Sequence, residues 1–376
     1  MSLNCDFNHF LNDTNWIVWV LAPYLKTEDP NLQYYYDFSQ SIQEYTLVFA
    51  ELGLDWKWQS VSLENYDAII RNIQAESSPK VPLILNLCDG DEENGVPGIS
   101  VVKLLESLDL IYTGSDSYFY EITTSKIPMK TLFDQHAVPT PNWLIINPEN
   151  PEIEQVFNKL KPPVIIKPAI SAGSLGLGLN AVVNNPESFK TYIDTIQKGY
   201  NGWDFIKGGL FVEEFIDGEE YTTLIVGSKG HIGESKIYTP VERLFDASLP
   251  ANEKFLSFDR LWEIYEHEAP LQDEKALWHY HMPDPSLISE IKEISWNAYC
   301  ALNGTGYGRV DLRRNKVTGS IQVLEVNAQC GLSEDENYTS IGAILRFDNT
   351  KFSFLIKEVL FDAYLRHSEK SIHRNQ

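Results

Sequence analysis

Basic residues are scarce in this sequence. Lys and Arg number 30 against 53 Asp and Glu, a formal net charge of −23 over 376 residues. A surface so acidic repels phosphate backbones and excludes nucleic acid as a general partner. Phosphate bound here needs a locally basic cleft or a divalent metal. Cysteine is scarcer still: Cys5, Cys88, Cys300 and Cys330 lie far apart and form no CxxC pair. That argues against a disulfide framework or a structural zinc site and suits a reducing cytosol. Long apolar runs are missing too. The longest, Trp16 to Ala22, falls far short of the roughly 20 residues a membrane helix needs. The start "MSLNCDFNHF" shows no basic residues ahead of an apolar stretch, so the sequence predicts a cytoplasmic protein with no signal peptide and no membrane partner. No internal repeat or low-complexity segment is visible. The first apolar run is followed by "APYLKTEDP", so the GxGxxG turn of a dinucleotide site is absent where it belongs.

What is present alternates. Trp16 to Ala22 reads as a buried strand. Phe38, Ile42, Tyr45, Val48, Phe49 and Leu52 recur at helical spacing, with Gly53 placed to end the helix. Strands at 56–61 and 81–87, helices at 66–74 and 99–108, and a strand running to Ser115 continue the series, which implies a parallel sheet. Pro139 and Pro141 end a further helix. Residues 143–215 then read as strand, helix (152–160), the strand "PVIIKP", a glycine-rich loop, strand, helix (186–197) and the strand "GLFVEEFI". More strands, a polar and aromatic stretch (240–284), a helix (286–301) and two closing strands follow, and the tail "HSEKSIHRNQ" reads as loosely held. The expected architecture joins α/β and α+β parts: an N-terminal parallel-sheet domain (1–120), a central domain (121–215) and a C-terminal domain (216–370).

The loop "KPAISAGSLGLGLN" concentrates the chemistry. By itself a glycine-rich loop also fits a tight turn in which glycine supplies positive φ. "GSLGLG" lacks the Lys-Ser/Thr of a Walker loop, and the next residues read as strand. The loop is therefore expected as a flap between two strands, its N–H groups able to close over phosphate. Lys167 ends the apolar strand before it, and Lys126 lies upstream in "TTSK". A lysine at the end of an apolar strand is costly to bury unless it meets an anion; otherwise it snorkels to the edge. Near the C-terminus, "GRVDL" places Arg309 and Asp311 on one face of a strand, and "VLEVNAQCG" places Glu325 and Asn327 likewise on the next. If the strands pair, three hard oxygen ligands converge as magnesium requires beside nucleotide phosphates. The alternative is an amphipathic hairpin with its polar side in solvent, although acids facing across it repel unless a cation lies between them. His279 and His281, two apart, read as solvated or packing residues.

Taken in order, "PVIIKP…GSLGLG", "VEEFIDGEEYT", "GRVDL" and "LEVNAQCGL" resemble the D-alanine–D-alanine ligase branch of the ATP-grasp family over roughly residues 110–350. The resemblance implies an ATP-grasp fold, with 121–215 as the central lid domain and 216–370 as the C-terminal metal-binding, catalytic domain, and it implies ATP and two Mg2+ ions, Mn2+ being an alternative ion. It implies that Lys126 and Lys167 contact the phosphates and that the loop with Ser171, Gly173, Ser174, Gly176 and Gly178 closes over them. Glu213 then accepts from the adenine amino group, the backbone at Phe215 and Ile216 lies along the adenine edge, and Glu220 binds the ribose. Asp311, Glu325 and Asn327 hold the metals, while Arg309 and the Gly331 N–H stabilise a tetrahedral intermediate.

Departures from the family pattern bear on the substrates. The N-terminal GG-x-S-x-E-like segment is not reproduced by "LAPYLKTEDP". After the metal strand, Cys330 replaces a proline and Glu336 stands near the position of a serine that holds the second substrate's carboxylate. The lysine expected in the central loop is missing: "FLSFDRLW" offers Leu261 there, with Arg260 beside it as the candidate catalytic cation. The expected activity is an ATP-dependent carboxylate–amine ligase acting through an acyl phosphate and releasing ADP and phosphate. Its partners are small-molecule carboxylate and amine substrates, amino acids or small specialised metabolites, and a homodimer is left open. The acids of "SEDE" beside the acceptor pocket favour a less anionic amine. The alternatives are a true D-alanine–D-alanine ligase and, from another class, a non-catalytic ATP-binding regulatory or scaffold module.

Overall fold

The computed structural model describes residues 10, 14–28, 33, 36–93, 95–171, 177–199, 204–261, 276–335 and 339–374. The first apolar run forms β1 (Trp16–Pro23), buried along its whole length. It lies inside a four-stranded parallel sheet with β2 (Asp55–Val61), β3 (Val81–Asn86) and β4 (Ile111–Tyr112), in the order β2-β1-β3-β4. A parallel strand is covered on both faces, which is why β1 is apolar without alternation. Ile17, Trp19 and Leu21 pack with the helices Tyr66–Ser77 and Ile99–Ser107. Val18 and Val20 face the opposite way, onto the helices Ser39–Leu52 and Phe352–Arg374. The first of these stops at Gly53, whose φ of 67° lets its N–H close on the Ala50 and Phe49 carbonyls.

Two expectations for this region change. The strand expected to run to Ser115 holds only Ile111 and Tyr112, and the single helix ahead of Pro139 is two, Ser117–Thr124 and Lys126–Gln135, parted by an extended Ser125. The tail also differs. It continues the last helix to Arg374; just ahead of it Arg366 pairs with Asp362 at 2.7 Å and donates to the Tyr112 and Gly114 carbonyls, and His367 lies 3.1 Å from the Asp109 carbonyl.

The second sheet is antiparallel: β5 (Trp143–Ile146), β6 (Val164–Pro168), β7 (Val182–Val183) and β8 (Leu210–Glu214), in the order β5-β8-β6-β7. The helices Ile153–Lys159 and Pro186–Ile196 cover one side through Val156, Phe189, Tyr192 and Ile193. Asn185 caps the second helix in a capping box with Ser188, with Pro186 opening its first turn. β6 and β7 pair as a hairpin, so the glycine-rich segment is the connection between two strands, as expected. Gly173, Ser174 and Gly176 lie outside the described residues.

The third sheet joins β9 (Glu220–Val226), β10 (Lys236–Ile237), β11 (Val241–Phe245), β12 (Trp278–His281), β13 (Tyr307–Arg314) and β14 (Ile321–Ala328), ordered β12-β11-β9-β13-β14 with β10 also on β9. Alternation decides its faces. Tyr221, Ile225, Val310 and Leu312 bury against the helix Ile288–Ala301 and the helices around Phe119 and Met129. Glu220, Thr222, Arg309, Asp311 and Arg313 are left on the other side. No described helix is long and apolar enough to cross a membrane.

Candidate active site

The polar side of the third sheet faces a cleft of ≈ 620 Å³ whose walls include the second sheet and the C-terminal end of the first. Register builds its centre. Asp311 on β13 stands opposite Glu325 on β14, and Arg309 opposite Asn327. Between Glu325 and Val323 the pairing shifts, and this irregularity lets Val323 bury behind the sheet while Glu325 and Asn327 line the cleft. The Asn327 amide donates to Asp311 at 3.0 Å and to Glu325 at 3.3 Å, and Thr222 on β9 donates to Asp311 at 2.7 Å. Arg309 grips Asp311 through Nε and Nη2 at 2.9–3.1 Å. These three residues offer carboxylate and amide oxygens at one point, the donor set of a hard divalent ion.

Lysines close over that point. Lys126, at the start of its helix, reaches Glu325 at 3.3 Å and the Ser171 carbonyl at 3.1 Å, linking β14 to the start of the glycine-rich connection. Burial alone raises the Glu325 carboxyl, but Lys126, Lys167 and Arg309 together bring it down to about 2. It is therefore charged at any working pH. Lys167 lies 2.6 Å from Glu213, and Lys130 lies 2.6 Å from the other oxygen of the same carboxylate. Lys130 and Glu213 are each 1% exposed. Burial works against the Glu213 charge, and the two ammonium groups outweigh it and hold its pKa low. Lys130 is pushed down by its own burial. The sequence reading missed Lys130. Its signal was a lysine four residues after Lys126, one helical turn along.

Beside this cluster, Phe215 and Ile216 line the cleft with Glu220. Glu220 pairs with Arg243 on β11 and lies 3.3 Å from Arg313 on β13. The Arg313 guanidinium lies over the Phe215 ring, 4.9 Å from its centroid. Trp278 and Tyr280 of β12 line the cleft, while His279 and His281 alternate to the exposed side, rings 5.2 Å apart. Gly331 and buried Cys330 are also in the wall, and burial pushes the Cys330 thiol up to about 12, so it stays protonated.

Two expected residues stand elsewhere. Arg260 donates to the Glu253 carbonyl and carboxylate at 2.9 Å and is not part of the cleft wall, because the short helix Phe258–Leu261 directs it to the segment before it. Gly178 precedes the turn Leu179–Ala181 and is likewise not in the wall.

The far end of the cleft lies between the helix Ser39–Leu52 and the segment after β14. Asp335 lines it and accepts from Gln40 at 2.7 Å, while Ser333 donates to Glu44 at 2.8 Å. Glu334 is exposed, and Glu336 lies outside the described residues. Ser340, 3% exposed in the first turn of the helix Ser340–Asp348, lines the same end with a hydroxyl that has no partner among the described residues. Asp89, just past the C-terminal end of β3, adds a carboxyl that burial raises to about 7. Ligands of open parallel sheets bind outside the carboxyl ends of the strands, where Asp89 stands.

Comparison with known proteins finds the same arrangement of elements. The family described as D-ala D-ala ligase C-terminus matches residues 132–360. An uncharacterised protein of Sinorhizobium fredii is 28% identical over 276 residues, 71% of this chain and 70% of that protein. The D-alanine–D-alanine ligase of Ralstonia nicotianae is 26% identical over 236 residues, 62% of each chain. Among solved structures, the D-alanine–D-alanine ligase of Bacillus anthracis superimposes with a TM-score of 0.66 at 17% identity, covering 94% of this chain and 99% of that one. Its complex with ATP gives a TM-score of 0.65 with the same coverage. At that identity the likeness speaks for the fold.

Proposed function

The chain belongs to the D-alanine–D-alanine ligase family of ATP-grasp carbon–nitrogen ligases, and on that footing we propose that it joins a small carboxylate to a small amine at the expense of ATP. The observation that carries this reading is the convergence of Asp311, Glu325 and Asn327 under Lys126, in a cleft that Lys167 also lines. Oxygen ligands and ammonium groups at one point suit a triphosphate and little else of comparable size.

In this reading a carboxylate oxygen of the first substrate attacks the γ-phosphorus and ADP leaves. The amine then attacks the carbonyl carbon of the acyl phosphate, and phosphate departs with one former carboxylate oxygen. Asp311, Glu325 and Asn327 would hold magnesium, which would neutralise phosphate charge there. Lys126 and Lys167 orient the phosphates. Arg309, fixed by Asp311, and the Gly331 N–H face the oxyanion of the second step. Phe215 and Ile216 border the base. Glu213, held between two lysines, offers adenine only the lone pairs they leave free, so its main part is to orient Lys167.

Asp335 in the wall at the far end favours an acceptor that presents an amine rather than a carboxylate. The Ser340 hydroxyl favours a second reading, true D-alanine–D-alanine ligation, since a helix N-terminus with an unpartnered donor suits an acceptor carboxylate. ADP release that requires both a carboxylate and an amine tests the ligase reading, and the identity of the productive amine separates the two substrate readings.

A further inference from the structure

One row of the third sheet sets two guanidiniums against a single contacting carboxylate among the described residues. Glu220 on β9 pairs in register with Arg243 on β11 and Arg313 on β13, and Arg243 with Tyr280 on β12. Both guanidiniums reach the one carboxylate, and the three side chains are 10%, 11% and 4% exposed. Among the described residues Glu220 is the one carboxylate in contact with both guanidiniums; Asp311 acts on Arg243, and Asp217 and Glu213 on Arg313, without a salt bridge to them. Two guanidiniums sharing one contacting carboxylate in a poorly hydrated wall leave room for a further anion.

The two arginines are not equivalent. Arg313 is the more buried, donates also to the Lys254 carbonyl and lies over the Phe215 ring. Arg243 has a neutral second partner, the Tyr280 hydroxyl at 3.2 Å, and its Nε–H meets no acceptor among the described residues. It lines the cleft. Two residues along the strands, one pleat away on the same face, comes the row of Val241, Thr222 and Asp311, the last a metal ligand in the reading above. A phosphate chain held at Asp311 and running toward Phe215 passes this row.

We propose that Arg243 is a ligand of the nucleotide's phosphate chain. It supplies the cation that the sequence assigned to Arg260, and Arg313 stays behind as the fixed partner of Glu220. The inference rests on the nucleotide-binding reading of the cleft and adds a residue to it. Removing Arg243 leaves Arg313 and Glu220 as a balanced pair, so the fold does not depend on it.

The test is calorimetric titration of the full chain with adenosine, AMP and ADP in Mg2+, for the native protein, Arg243→Met and Arg243→Lys, with melting temperatures alongside. Arg243→Met is expected to melt no lower than the native protein and to bind ADP about 10- to 100-fold more weakly, the loss of one charge-assisted contact. Adenosine affinity stays within about twofold in that variant, and Arg243→Lys recovers most of the ADP affinity. Equal weakening of adenosine and ADP, an unchanged ADP affinity, or a lower melting temperature in Arg243→Met overturns the proposal while leaving the nucleotide site standing. Failure of the native protein to bind ADP overturns both.

Discussion

Asp311 and Glu325 stand opposite each other across the β13–β14 pair, two carboxylates joined by the amide of Asn327, which donates to both. Facing acids destabilise a strand pair unless a cation compensates. Here Arg309 serves Asp311 and Lys126 serves Glu325. Glu325→Gln and Asn327→Ala are therefore expected to keep the native circular dichroism spectrum and to lose ADP release. Chelation with EDTA should abolish activity in the native protein, and added Mg2+ should restore it. Full activity in either variant would discard these residues as the metal set.

The Glu213 clamp is a stability element as well as part of the site. Lys130→Met removes one partner of a fully buried ion pair, and breaking such a pair costs about 3–5 kcal/mol. Urea unfolding should show a midpoint shift of that size. Glu213→Ala should destabilise comparably by leaving two lysines facing each other, and by releasing Lys167 it should raise the ATP requirement. A variant as stable as the native protein would show that the clamp is solvated.

Asp89 makes stability depend on pH in a stated direction. Its folded pKa, about 7, lies above that of an ordinary carboxylate because burial disfavours the charge. The folded state thus holds this proton more tightly than the unfolded chain. The stability it contributes is complete below about pH 4, the ordinary carboxylate range, and is lost as pH rises through 7. Asp89→Asn should reduce the fall in melting temperature between pH 5 and pH 8. An identical fall in both proteins would place the carboxyl in water.

The acceptor end gives the sharpest statement about substrate. With Asp335 in the wall, a carboxylate on the incoming amine meets a like charge, at about 1 kcal/mol per contact near 4 Å even in bulk water. D-alanine alone should yield negligible dipeptide, with turnover when a less anionic amine is supplied. Robust D-alanyl-D-alanine synthesis would reverse the order of the two substrate readings and assign the Ser340 hydroxyl to an acceptor carboxylate.

Much of this was legible in the sequence where residue spacing controls geometry. Period-two spacing in "GRVDL" and "VLEVNA" fixes which side chains share a face, and the pairing of β13 with β14 brings them together as expected. The helix Ser39–Leu52 and its Gly53 stop follow from apolar spacing and a positive φ. What depends on distant pairing was hidden. Arg243 meets Glu220 because β11 lies beside β9, and nothing local in "PVERLF" announces that neighbour. Arg260 looked suitable by position, yet its short helix turns it to Glu253. The polar tail "HSEKSIHRNQ" read as loose because the contacts at its start are more than two hundred residues away: Arg366, just ahead of it, donates to the Tyr112 and Gly114 carbonyls, and His367 meets the Asp109 carbonyl.

The central claim is that a carboxylate is activated by phosphoryl transfer and then captured by an amine. Turnover of the purified protein with ATP, Mg2+, amines and amino acids labelled with 18O in the carboxylate tests it most directly, with product amide and inorganic phosphate both read by mass spectrometry. The account predicts amide and phosphate in equal amounts, each phosphate carrying one 18O from the carboxylate. Unlabelled phosphate, or release of AMP and pyrophosphate in place of ADP, would contradict it.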